Sequence, residues 1–180
     1  MLLRCLTAVL LCLALPCAVL AATEIEISSP GEQSNPLGLT KLLPDEGTRS
    51  AGIADEFDEV LGADLDLSGL FRFVDPQSFL DDADQIGLFS TQVNFPQWRL
   101  LGAETLIKGT YHLDGDKLVV EGRLFDVVNR RLLTGRRYVG QPKDVRRMAH
   151  AFADLVLKAL TGEEGPFSSR IAYISNQTGD

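Results

Sequence analysis

The stretch Asp64-Leu65-Asp66-Leu67-Ser68-Gly69, with Asp75 at the twelfth place, is where residue types and spacing come nearest to a chemical site. Oxygen ligands at positions one, three, five and twelve, with glycine at six, are what a calcium loop of the EF-hand kind requires. Such a loop would make the chain an exported small-ligand or calcium-binding domain, held by Asp64, Asp66, Ser68 and Asp75. The rest of the pattern departs from it. Arg72 stands at the ninth place, Asp replaces the bidentate Glu, and Phe71-Arg72-Phe73-Val74 reads as a strand where a helix is needed. A helix end running into a strand accounts for the same residues, and no metal is expected.

Catalysis has little material. The two histidines are His112, in a strand pattern, and His150, on the polar side of a helix pattern, and neither lies in an acid–base or nucleophile motif. Cys5, Cys12 and Cys17 all fall within the apolar run that follows Arg4. That run ends in Val19-Leu20-Ala21, the layout of a cleavable export signal cut after Ala21 or Ala22. The mature chain then has no disulfide, thiolate nucleophile or cysteine zinc site, and it is soluble rather than membrane-inserted. The expectation is a protein with no enzymatic activity and no cofactor.

Charge excludes one more class. The net charge is −8, the wrong sign for phosphate neutralisation, so no nucleic acid is expected as a partner. The balance is uneven: residues 23–98 hold three basic and fifteen acidic residues, and residues 99–147 hold eleven basic and six acidic. Asp81-Asp82-Ala83-Asp84 reads as a solvated acidic loop. Arg130-Arg131 and Arg136-Arg137 read as hairpin and strand-edge charges that deter aggregation.

The elements around these residues follow from periodicity. Gly47–Leu67 is a helix with Ile53, Phe57, Val60 and Leu61 on one face, stopped at Ser68-Gly69. Phe95–Leu101 is a short helix carrying Trp98, a core residue by its type and place, and Gly102 ends it. Glu104–Leu113, Lys117–Val128 and Leu132–Gly140 are three strands at hairpin spacing, with Asp114-Gly115 a strong turn signal. Val145–Leu160 is the clearest helix, with Val145, Ala149, Phe152, Val156 and Ala159 as its buried stripe and Gly162 as its cap. The class is α+β, a mixed or antiparallel sheet with two long helices packed on it.

Residues 22–46 differ in character. Thr23-Glu24-Ile25-Glu26-Ile27 alternates like a short strand, and Ser28 to Pro36 has the composition of a linker. Leu37-Gly38-Leu39 and Leu42-Leu43-Pro44 add apolar residues without regular period. The expectation is an extended tail ahead of a domain over 47–165. Deleting Thr23 to Leu39 should then leave the melting of residues 47–160 nearly intact.

Several motifs, taken in order, resemble one family. Asp64-Leu65-x-x-Ser68-Gly69-x-Phe71 is followed by Trp98-Arg99-x-Leu101-Gly102-Ala103 and Gly109. Arg146-Arg147-x-Ala149-His150-x-x-Ala153-Asp154, Leu160-Thr161-Gly162-Glu163, Gly165, Phe167 and Arg170-Ile171-Ala172-Tyr173 close the series. Together they resemble the TolB amino-terminal domain of the Tol-Pal system, behind a signal peptide over 1–21. The resemblance implies a periplasmic protein–protein adaptor that supports outer-membrane integrity and constriction during cell division. It implies that the tail, through Glu24, Ile25, Glu26, Ile27, Pro36, Leu37, Gly38 and Leu39, engages a TolA-like inner-membrane protein. It also implies that residues 166–180 are a linker and first strand of a β-propeller that is otherwise absent here. Pal, which the family's propeller binds, is a partner only where a propeller is present. Arg170 to Asp180 is expected to be poorly ordered.

Overall fold

The computed structural model describes residues 34–45 and 50–169. Its first element is a strand, β1 (Asn35–Pro44), followed by α1 (Ala51–Leu67), β2 (Phe71–Phe73) and short 3₁₀ turns at Pro76–Ser78 and Asp81–Asp84. Then come α2 (Phe95–Leu100), β3 (Thr105–Asp114), β4 (Lys117–Asp126), β5 (Arg131–Gly140), a 3₁₀ turn at Pro142–Asp144 and α3 (Val145–Thr161). No helix among the described residues is long and apolar enough to cross a membrane.

The α+β expectation holds. The sheet has the order β2-β1-β3-β4-β5, with β1 parallel to both β2 and β3 and the remaining pairs antiparallel. The hairpin turns sit where the sequence placed them, with Gly115 at φ 61° and Arg130 at φ 54°. Glycine takes that backbone region without strain, which is why Asp-Gly is the stronger turn signal of the two.

α1 and α3 lie together on one face of the sheet. Ile53, Phe57, Val60, Leu61 and Leu65 of α1 are buried, and the Phe57 ring packs 6.5 Å from that of Phe152 on α3. The helix starts at Ala51 rather than Gly47, with Ser50 as its N-cap residue. Tyr111 of β3 fixes that end, since its hydroxyl accepts from the Ser50 N–H at 2.9 Å and donates to the Ser50 carbonyl at 3.0 Å. Along α3, Val145, Ala149, Phe152 and Val156 are buried as expected. Ala159 is exposed, because burial follows the row of every fourth residue through Ala153 and Leu157 instead.

A second, smaller core covers the opposite face. Val74, Val93, Phe95, Trp98 and Ala103 pack on Leu106, Phe125 and Val127. The Phe79 ring meets Trp98 edge-on at 4.9 Å, and Phe95 meets Phe125 at 6.1 Å. The sheet is therefore buried on both sides over its middle, and Trp98 is core, as its type and place suggested.

The expected tail needs correction over its second half. Asn35–Pro44 is an interior strand of the sheet, paired with β2 on one side and β3 on the other. The folded unit thus begins upstream of Gly47. Residues 166–168 also belong to the domain rather than to a free linker. The Asp154 carboxylate accepts from the N–H groups of Phe167 at 2.8 Å and Ser168 at 2.9 Å.

Candidate functional site

The residues assigned to a partner divide at the start of β1. Ala21, Ala22 and Glu24 to Ile27 lie outside the described residues, as does Arg170 to Asp180. Pro36, Leu37, Gly38 and Leu39 lie within β1, and the first three of these are buried. Leu37 is 0% exposed in the helix-side core. On the other face a Cβ at Gly38 would come 2.7 Å from the Trp98 ring. Glycine is required there by that close approach, so Leu37 and Gly38 pack inside the fold, while Leu39 is half-buried.

β1 is clasped to α1 by an unusual acid. Its register with β3 shifts between Leu39 and Leu42. The Leu42 N–H points instead to Asp58 of α1, whose two carboxylate oxygens each accept it at 3.1 Å. Burial pushes the Asp58 carboxyl up to about 7, against the opposing pull of the Leu42 N–H and Lys41. A carboxyl raised on folding favours the folded state below its ordinary value near 3.8, and that contribution is lost as pH rises through about 7. Asp58→Asn keeps an acceptor for Leu42 but does not ionise. Its melting temperature relative to the parent should therefore rise between pH 5 and pH 8, as read by circular dichroism. A constant difference across that range would show that Asp58 does not titrate there.

The acidic stretch at 81–84 is not simply solvated. Asp82 is 3% exposed, and Lys108 of β3, which meets it beneath the loop, is 1% exposed. The Lys108 ammonium lies 2.8 Å from Asp82 Oδ2 and also donates to the Asp82 carbonyl. Trp98 Nε1 donates to Oδ2 at 2.7 Å and the Asn94 N–H to Oδ1 at 2.9 Å. Burial alone would raise the Asp82 carboxyl, but Lys108, Trp98 and Asn94 outweigh it and hold it below the usual carboxylate value. All these donors serve one carboxylate, so the cluster orders the loop over the sheet. Nothing in the sequence joins residue 82 to residue 108. The available signal was a lysine at an otherwise apolar strand position.

The calcium reading is overturned by where its four residues point. Asp64 Oδ2 bonds His150 Nδ1 at 2.6 Å, tying α1 to α3. Ser68 Oγ donates to the Leu65 carbonyl at 2.5 Å. Asp75 caps the following turn through the Gln77 N–H at 2.9 Å, and Asp66 is exposed. They do not converge. Among the described residues no group of three or more His, Cys, Asp or Glu side chains could hold a metal ion. His150 is thus a bridge between helices, and His112 stands apart, half-buried in β3 opposite Val119.

Comparison with known proteins agrees with this arrangement. A family model described as the TolB amino-terminal domain matches residues 23–133. A Tol-Pal system protein TolB from Syntrophotalea carbinolica is 58% identical over 170 residues, covering 94% of this chain and 39% of that relative. One from Geobacter metallireducens is 36% identical over 133 residues, covering 74% of this chain and 30% of its own length. The chain thus spans about two fifths or less of the curated relatives it matches. Among solved structures, TolB from Acinetobacter baumannii shares the fold with a TM-score of 0.58 at 20% identity, covering 76% of this chain and 30% of that one. Since the matched span runs from the segment ahead of β1 through the sheet into β5, the chain belongs to the TolB amino-terminal domain family.

Proposed function

We propose that this protein is a non-catalytic component of the Tol-Pal envelope system, exported to the periplasm. Its segment ahead of β1 engages a TolA-like inner-membrane protein in support of outer-membrane integrity and constriction. The observation that carries this reading is the family match, which starts at residue 23 and so includes Glu24 to Ile27. Because Pro36 to Leu39 pair within the sheet, the contact is proposed to run through Glu24, Ile25, Glu26 and Ile27. Their alternation suits addition to the partner's sheet edge, where main-chain bonds give affinity and alternate side chains give selectivity. Pal is a partner only where a propeller is present.

The test is calorimetric titration of the mature chain against the carboxy-terminal domain of a TolA-like protein. Ile25→Pro removes a main-chain donor and should weaken binding by roughly tenfold or more while leaving the melting temperature unchanged. Equal affinity of the parent and Ile25→Pro chains would sink the assignment of the contact to this segment.

A further inference from the structure

β5 ends the sheet, and β4 is its one strand neighbour among the described residues. One row of its main-chain N–H and C=O groups therefore faces outward. The strand is ten residues long, a run of about 33 Å at the usual strand rise. The other edge, β2, is three residues long and runs into Pro76 shortly after, so it cannot receive a strand of comparable length.

The side chains along β5 are of two kinds. Arg131, Arg136 and Arg137 are exposed. So are Leu132, at 42%, and Val139, at 56%. Pairing places Leu132 opposite Phe125, Arg137 opposite Glu121 and Val139 opposite Val119, all on the face of the sheet away from α1 and α3. Arg136 lies opposite Gly122 on the helix-side face, where the Phe152 ring covers that glycine. Glu121 is occupied by Arg123, and among the described residues neither Arg136 nor Arg137 has a carboxylate within 4.0 Å.

Arginines alone would make this a defended edge. Two large exposed aliphatic side chains on the same strand work against defence, because they reward any chain that lies alongside. A partner must supply what the edge lacks: main-chain pairing, apolar contact at Leu132 and Val139, and negative charge at the two adjacent arginines. In a chain of net charge −8, such an unpaired basic pair is a local feature and selects for an acidic occupant.

We infer that β5 is a docking edge for an extended acidic segment of a partner protein, which adds as a sixth strand with carboxylates beside Arg136 and Arg137. The test of this surface does not depend on any TolA-like partner. The probe is a ten-residue peptide alternating Thr and Val around a central Glu-Glu pair, titrated into the full chain by calorimetry and followed by amide hydrogen exchange. The expected result is saturable binding that protects β5 amides and weakens with salt. Arg136→Glu combined with Arg137→Glu should reduce affinity by roughly tenfold or more, and Val139→Thr by a smaller factor. N-methylation of alternate peptide residues, on the edge that would pair, should abolish binding to the parent chain. Equal binding of a Lys-Lys peptide, undiminished binding of the N-methylated peptide, or no binding at millimolar peptide would each overturn the proposal. Should the double arginine variant not fold, Val139→Thr and the peptide series still decide it.

Discussion

Lys108→Met should destabilise the domain by about 3–5 kcal/mol, the range for removing one partner of a buried ion pair. The loss does not come from the attraction alone. Without the ammonium, the Asp82 carboxylate stays under the loop with Trp98 Nε1 and the Asn94 N–H as its remaining partners. Asp82→Ala should cost a comparable amount for the opposite reason, since it strands the ammonium and leaves the Trp98 N–H without an acceptor. Removing both charges with Lys108→Met and Asp82→Leu should recover part of the loss. It should not recover all of it, because the indole and Asn94 donors remain unpaired. Urea unfolding monitored by Trp98 fluorescence checks each variant, and a loss below about 1 kcal/mol for Lys108→Met would mean that the cluster is not a structural anchor. Acid should reproduce the effect. The Asp82 carboxyl is held below its ordinary value near 3.8, so its contribution is present above that pH and disappears as pH falls through the lower, folded value.

Deleting residues 23–39 should unfold the domain, whereas deleting residues 23–33 should leave its melting transition in place. The difference is β1. The longer deletion removes Asn35 to Leu39, which pair with Phe71 to Phe73 and with Thr105 to Ile107. It also takes out Leu37 at 0% exposure and the Gly38 surface on which Trp98 rests. β2, three residues long, would then have no neighbour. This reverses the expectation from sequence that the whole stretch to Leu39 is dispensable for stability. A point version is available in Leu37→Ala, which should cost about 2–5 kcal/mol as a buried leucine truncation. Differential scanning calorimetry of the two deletions decides the matter. A preserved transition in the longer one would return residues 35–39 to the tail.

The reason β1 escaped the sequence reading lies in its particular residues. A half-buried strand announces itself by alternation, but this one is covered on both faces, where alternation is not required. At Gly38 the apolar side chain that would have marked a core position is replaced by hydrogen because Trp98 occupies the space. Pro36 and Pro44 stand near its ends, and the register shift between Leu39 and Leu42 breaks the remaining period. Such a segment has the composition of a linker and the burial of a core.

The antiparallel strands and the helices were legible because their signals are local. Hairpin pairing from β3 to β5 needs only near neighbours and two turns. The stripes of α1 and α3 are visible in their own periods, and Gly69, Gly102 and Gly162 end their helices at positive φ. Motif order along the chain also carried the family resemblance, before any contact was known. Tertiary structure alone decided the contacts between distant residues. It placed Lys108 beneath Asp82, His150 against Asp64, and Asp58 under the Leu42 N–H. These groups are polar and, read alone, belong at the surface. Burial became acceptable only because folding brought each a partner 16 to 86 residues away in sequence, and that pairing is a property of the packed sheet and helices that no short window of residues contains.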